Sequence, residues 1–162
     1  IRDHKVHLVI LGDGRAKKDI IKKIKVMNLE SKISLFGSFP LETMPYFFNK
    51  ADALLISLKK SDTLSRTIPG KTQAYMPSGK PILTNADGEV SRIINEAQCG
   101  LTANSGDYKT LSKNIIKLSS LSNFELKSMS DNGKKYYENN FNREKILNNF
   151  EEIIHNIVDN KK

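Results

Sequence analysis

The sequence predicts an α/β fold: a Rossmann-like parallel sheet flanked by helices, followed by a helical C-terminal tail. Three observations predict it. Apolar runs rich in β-branched residues alternate with segments of helical periodicity. The connections between them are short. The runs, LVIL, ALLI and PIL among them, are continuously apolar and do not alternate, as strands covered on both faces require.

In chain order, VHLVILGDG (6–14) reads as a strand ending in a glycine turn. Ile20, Ile21, Ile24 and Met27 make a helical stripe over 15–28. ISLFG (33–37) is a second strand. PLETMPYFFNKA (40–51) reads as a helix whose first turn Pro45 weakens. ALLISL (53–58) is a third strand, and KKSDTLSRTI (59–68) a polar loop. Residues 69–77 form a short helix with Pro69 near its start. KPILTN (80–85) is a fourth strand, 90–98 a helix stopped by Gly100, and GLTAN (100–104) a fifth strand. The tail is helical: Asp107 caps one helix, Ser122 a second, and 142–158 carries a third apolar stripe through Phe150 and Ile154.

The 162 residues suit one domain, 1–162, with its own core. No apolar run approaches the roughly 18 residues of a membrane span. Cys99 is the sole cysteine, which excludes an internal disulfide and a cysteine metal cluster. His4, His7 and His155 lack metal-ligand spacing, so no metal is expected. The net charge of +8 suits phosphates, nucleic acid or anionic lipid, or simply a solvated lysine-rich surface. Basic residues interleaved with aromatics, the pattern of nucleic-acid binding, are absent.

In open parallel sheets, ligands bind beyond the carboxyl ends of the strands. Four segments fall there. In LGDGR, Gly12 and Gly14 let the backbone approach a ligand, or make a tight strand-to-helix turn. In FGSFP, Phe39 packs beside a base or belongs to the core. In TIPGKTQ, Pro69 and Gly70 shape a turn, and Lys71 sits at the mouth of a helix with the hydroxyls of Thr67 and Thr72 nearby. That set suits a diphosphate, or is a helix start with an exposed lysine. In NADGE, Glu89 either complements a helix dipole or accepts hydrogen bonds from sugar hydroxyls.

The order LVILGDG, ISLFGSFP, ADALLISL, TIPGKTQAYMPSGKPIL, ADGEVSRIINEAQCGL and YYENNF resembles the C-terminal, donor-binding half of GT-B-fold glycosyltransferases of the family 4 type. More narrowly it resembles the bacterial enzymes of capsule, O-antigen and exopolysaccharide synthesis. The resemblance implies a nucleotide-diphosphate sugar as donor, transfer to an acceptor with retained configuration, and no cofactor or metal. It places Gly12 and Gly14 near the cleft and Phe39 at the base. Thr67, Ile68, Pro69, Gly70 and Lys71 approach the diphosphate and sugar, and Thr72, Gln73 and Glu89 count among the donor-binding residues. It implies a cytoplasmic enzyme of the hexosyltransferase type, with peripheral contact to the membrane's cytoplasmic face.

Three departures stand out. The family's E-x7-E would fall at Arg66 and Ala74, and neither is a carboxylate. Gln73 or Glu89 is expected to share the lost role, and no catalytic residue is assigned. The family's first strand and helix have no counterpart before Val6, and the acceptor domain is absent. The expectation is therefore a fragment that binds a donor but is inactive alone, and whose apolar last helix promotes self-association. Two alternatives remain: a non-catalytic Rossmann-like nucleotide-binding module, favoured by the missing E-x7-E, and a GT-B-fold sugar epimerase, which would want more carboxylates and a histidine in the cleft.

Overall fold

The computed structural model describes residues 5–159; His4 lies outside them. Two compact units divide the chain, Ile1–Lys50 and Ala51–Lys162.

The first unit is a βαβ element. Strands β1 (Leu8–Ile10) and β2 (Ile33–Leu35) run parallel, with Leu8 opposite Ile33 and Ile10 opposite Leu35. Helix α1 (Lys17–Val26) connects them and presents Ile20 and Ile24 on its less exposed side. The predicted helix over 40–51 begins as a 3-10 turn, Leu41–Thr43, and becomes α-helical only as α2 (Met44–Lys50). Pro40 precedes the turn and Pro45 lies in the first turn of α2, where its missing N–H costs no hydrogen bond. None of the described side chains in this unit is buried.

The second unit holds the core. Strands β3 (Leu54–Ser57), β4 (Ile82–Asn85) and β5 (Gly100–Ala103) form a parallel sheet in that order. Leu54 lies opposite Ile82, and Ile82 opposite Gly100. Ile56 and Ile82 are fully buried, with Val90, Ile93 and Ile94 of α5 (Glu89–Glu96) covering one face. The spacing of those three residues, i, i+3, i+4, is what lets one side of α5 bury them together. Burying side chains of this size stabilises by about 1.5–3 kcal/mol each.

Four more helices complete the unit around short α4 (Gly70–Tyr75) and the 3-10 turn Met76–Ser78. The loop predicted over 59–68 contains one of them, α3 (Asp62–Ser65), capped by Ser61, whose hydroxyl accepts from the Leu64 N–H at 3.5 Å. Helix α6 (Tyr108–Ser119) starts at Asp107, whose carboxylate accepts from the Thr110 N–H at 2.9 Å. Helix α7 (Asn123–Asn140) opens with a capping box between Ser122 and Glu125. On α7, Gly133 lies against Cys99 and Met76, while Tyr136 and Tyr137 pack on the core with Phe141. Helix α8 (Arg143–Asp159) leaves its stripe of Ile146, Phe150, Ile153 and Ile157 exposed.

The strands are shorter than their apolar runs, because ladder pairing stops where a neighbour's strand ends. Strand β1 pairs with β2 alone and β3 with β4 alone, so each keeps one unpaired edge among the described residues.

Candidate functional site

In the second unit the ends of the parallel strands are tied to one another by polar contacts. The Ser105 hydroxyl, just beyond β5, donates to the Leu58 carbonyl at the end of β3, 2.7 Å away. The Ser105 N–H donates to Asp87 Oδ1 beyond β4, at 3.0 Å. Asn85 Nδ2 donates to the Asn104 carbonyl at 2.6 Å. Three loops distant in sequence are thus held along one rim.

The α3 segment joins the same rim. Gly88, the N-cap of α5, has φ of 76°, and its Cα faces the Ser65 carbonyl so closely that a β-carbon would collide with it. The contact fixes the 62–67 segment against the turn after β4. Asp62, Thr63, Arg66 and Thr67 line an open hollow of about 350 Å³. That volume falls at the lower end of small-molecule sites. Its lining mixes an acceptor-only carboxylate, a donor-only guanidinium and two hydroxyls, a set able to read a polyhydroxylated ligand. Thr67 Oγ1 already donates to the Leu64 carbonyl at 3.0 Å, so toward a ligand it acts as an acceptor.

Thr67 is the sequence-predicted residue found in that lining. Ile68, Gly70, Lys71 and Gln73 follow on exposed backbone or side chains, with Pro69 half-buried. Helix α4 has only six residues, so Lys71 itself supplies most of the positive charge there. Thr72 is different. Its side chain is 0% exposed and Oγ1 has no hydrogen-bond partner, so the hydroxyl faces the interior and no ligand at the surface.

Glu89 opens α5 beside Gly88, but its carboxylate is not idle. Arg92 Nη2 lies 2.9 Å from Glu89 Oε2, Arg92 Nε donates to both carboxylate oxygens, and Arg92 Nη1 also reaches Glu96. The pairing with Glu89, first through its hydrogen bond and then through its charge, raises the Arg92 pKa. A sugar hydroxyl at Glu89 would meet a carboxylate already oriented by a guanidinium.

In the first unit, Gly12 (φ 133°) donates its N–H to the Gly37 carbonyl at 3.0 Å, which brings the LGDG and FGSF loops together. Leu11, Gly12, Ser38, Phe39 and Met44 line a small hollow of about 140 Å³. Phe39 is 41% exposed, not a core residue, and its ring lies 4.7 Å from that of Phe47. Gly14 is exposed two residues after Gly12, before α1 begins. Two of the predicted segments therefore share one hollow.

Sequence reasoning missed Asp62, Thr63 and Arg66 as lining residues. The signal was present: Ser61 followed by Asp62 is a helix-start pattern, hidden in a stretch that reads as polar loop. Among the described residues, no group of three His, Cys, Asp or Glu is placed to hold a metal ion, and no helix is long and apolar enough to cross a membrane.

The family model described as "Glycosyl transferases group 1" matches residues 1–120. The sequence matches no curated protein. The fold is similar to a sucrose-phosphate synthase from Thermosynechococcus elongatus, at 16% identity and a TM-score of 0.77 over 94% of this chain and 38% of that one. It is similar to a glycosyltransferase from Rickettsia africae, at 17% identity and a TM-score of 0.76 over 96% and 41%. Anabaena Alr3699/HepE, solved in complex with UDP-glucose, aligns at 17% identity and a TM-score of 0.75 over 94% and 41%. The chain thus spans about two fifths of the length of these three structures.

Proposed function

The chain belongs to the glycosyl transferases group 1 family, and from that membership we propose that it is the donor-binding half of a glycosyltransferase that takes a nucleotide-diphosphate sugar. The observation that carries this reading is the family match over residues 1–120. The rim in the second unit supports it: polar contacts tie the strand ends together, and the 62–67 segment held against Gly88 lines an open hollow with Asp62, Thr63, Arg66 and Thr67. A structural neighbour solved with UDP-glucose adds support for the donor class.

In this reading, Lys71 and the Pro69–Gly70 backbone hold the diphosphate, with Ile68 and Gln73 alongside. Charge gathers on the diphosphate as it leaves, and a fixed cation beside it lowers the barrier. Glu89 accepts from donor hydroxyls. Gly12, Gly14 and Phe39 belong to the nucleotide side. Thr72 is a packing residue. The reaction is hexosyl transfer with retained configuration, needs no metal or cofactor, and serves bacterial surface polysaccharide synthesis. A further strand and helix complete the donor half. The acceptor domain lies in the remainder of the protein, so the chain alone binds donor without transferring it. The enzyme works at the cytoplasmic face of the membrane with peripheral contact to it.

Calorimetry of the full-length protein with UDP, GDP and their sugar derivatives tests this. Tighter binding of one nucleotide sugar than of its bare nucleotide is expected. Absence of any nucleotide affinity would replace the transferase with a structural module.

A further inference from the structure

Helix α1 carries charge more densely than any other helix of the chain. Over its ten residues Lys17, Lys18, Lys22, Lys23 and Lys25 stand against a single acid, Asp19. With about 3.6 residues per turn, Lys18, Lys22 and Lys25 fall on one face. All three are exposed. Among the described residues, the α1 lysine that forms an ion pair is a different one, Lys17, which holds Asp13 at 3.0 Å. Three like charges in a row repel one another; Asp19, three residues before Lys22, flanks the row, and among the described residues none of the three lysines forms an ion pair with it.

Apolar side chains flank the row. On the helical wheel Ile21 lies on one side of it, 38% exposed, and Val26 on the other, 74% exposed. Cationic heads with aliphatic groups beside them match the boundary of an anionic bilayer, where phosphates meet the first methylenes. A nucleic-acid surface would instead want rings to stack on bases, and α1 has no aromatic residue.

We propose that α1 is a docking surface for anionic lipid, with Lys18, Lys22 and Lys25 against the headgroup phosphates and Ile21 and Val26 at the acyl boundary. The proposal rests on the membrane contact of the proposed function and gives that contact a surface and a lipid class. Helix α6 is the natural comparison. It presents Lys109, Lys113 and Lys117, also exposed and also one turn apart, but the Asp107 carboxylate attracts Lys113 and that of Glu125 attracts Lys117.

Co-sedimentation of the full chain with vesicles tests it. The vesicles are phosphatidylcholine alone, or phosphatidylcholine with a minority of phosphatidylglycerol. Two triple variants of equal charge are compared, Lys18→Gln/Lys22→Gln/Lys25→Gln and Lys109→Gln/Lys113→Gln/Lys117→Gln, each checked for folding by circular dichroism. The expected result is binding to the anionic vesicles only, weakened by added salt. The α1 variant should lose at least about tenfold in affinity and the α6 variant less than about threefold. Equal losses in both variants would overturn the surface and leave a diffuse membrane attraction. Failure of the unmodified chain to bind either vesicle would remove the membrane contact as well. Binding to single-stranded RNA without binding to vesicles would make the partner a nucleic acid and overturn the proposal.

Discussion

The backbone of Gly88 rests against the carbonyl of Ser65, with no space for a side chain between them. Two effects coincide there. The φ of 76° disfavours any L side chain, and the contact would have to open to admit one. Gly88→Ala is expected to destabilise by about 2–4 kcal/mol in urea unfolding. Gly106 has a similar φ of 81° but open space around it. Gly106→Ala should therefore cost only the backbone strain, about 1 kcal/mol. Equal losses at the two sites would show that the Ser65 contact contributes nothing.

Lys71 is exposed at the start of α4. In the full-length protein, Lys71→Ala should weaken donor binding or turnover by at least about tenfold, the loss expected when one charge-assisted contact to a phosphate is removed. Unchanged kinetics would take Lys71 out of the site.

Glu89 and Glu96 both hold Arg92, but only Glu89 stands next to the turn after β4. Neutralising either breaks an exposed ion pair of small energetic weight. Glu89→Gln should nevertheless lower nucleotide-sugar affinity by about tenfold, and Glu96→Gln should not. If both variants bind the donor like the parent, the Glu89 carboxylate serves only to position Arg92.

Two helix caps predict an acid-side response. The Thr110 N–H lowers the pKa of Asp107, and the Ser122 side chain that of Glu125. A carboxylate depressed in the folded state stabilises above its unfolded value, ordinarily 3.8 for Asp and 4.5 for Glu. The contribution is lost as pH falls through the depressed folded values. The urea midpoint should thus drop on acidification, and Asp107→Ala with Glu125→Ala should flatten that slope.

Burial pushes the Cys99 thiol up to about 11. It remains protonated at neutral pH and is poorly nucleophilic. Iodoacetamide labelling at pH 8 should be at least about a hundredfold slower in the folded chain than in denaturant. The sign at high pH follows: the buried thiol stabilises below its ordinary value of 9.0 and ceases to do so as pH rises toward about 11. Equal labelling rates would place Cys99 at the surface.

Much of the fold was legible residue by residue. The caps at Asp107 and Ser122 and the buried face of α5 follow from neighbours three or four positions apart, and the five strands from short continuous apolar runs. The grip of Arg92 on Glu89 and Glu96 was legible too, at i, i+3 and i, i+4, but its use was hidden behind a functional reading of Glu89. Helix α3 escaped because Asp62, Thr63 and Ser65 each favour turns as readily as a helix start.

What the amino-acid order determined on its own was the alternation of strand and helix, and the glycine-bearing turns that carry the candidate site. Tertiary structure decided the rest: that Thr72 turns inward, that Ser65 meets Gly88, and that Ser105 ties Leu58 to Asp87. The division has a physical cause. Periodicity and capping act between residues a turn or less apart, whereas these contacts join segments brought together only when the core of the second unit closes.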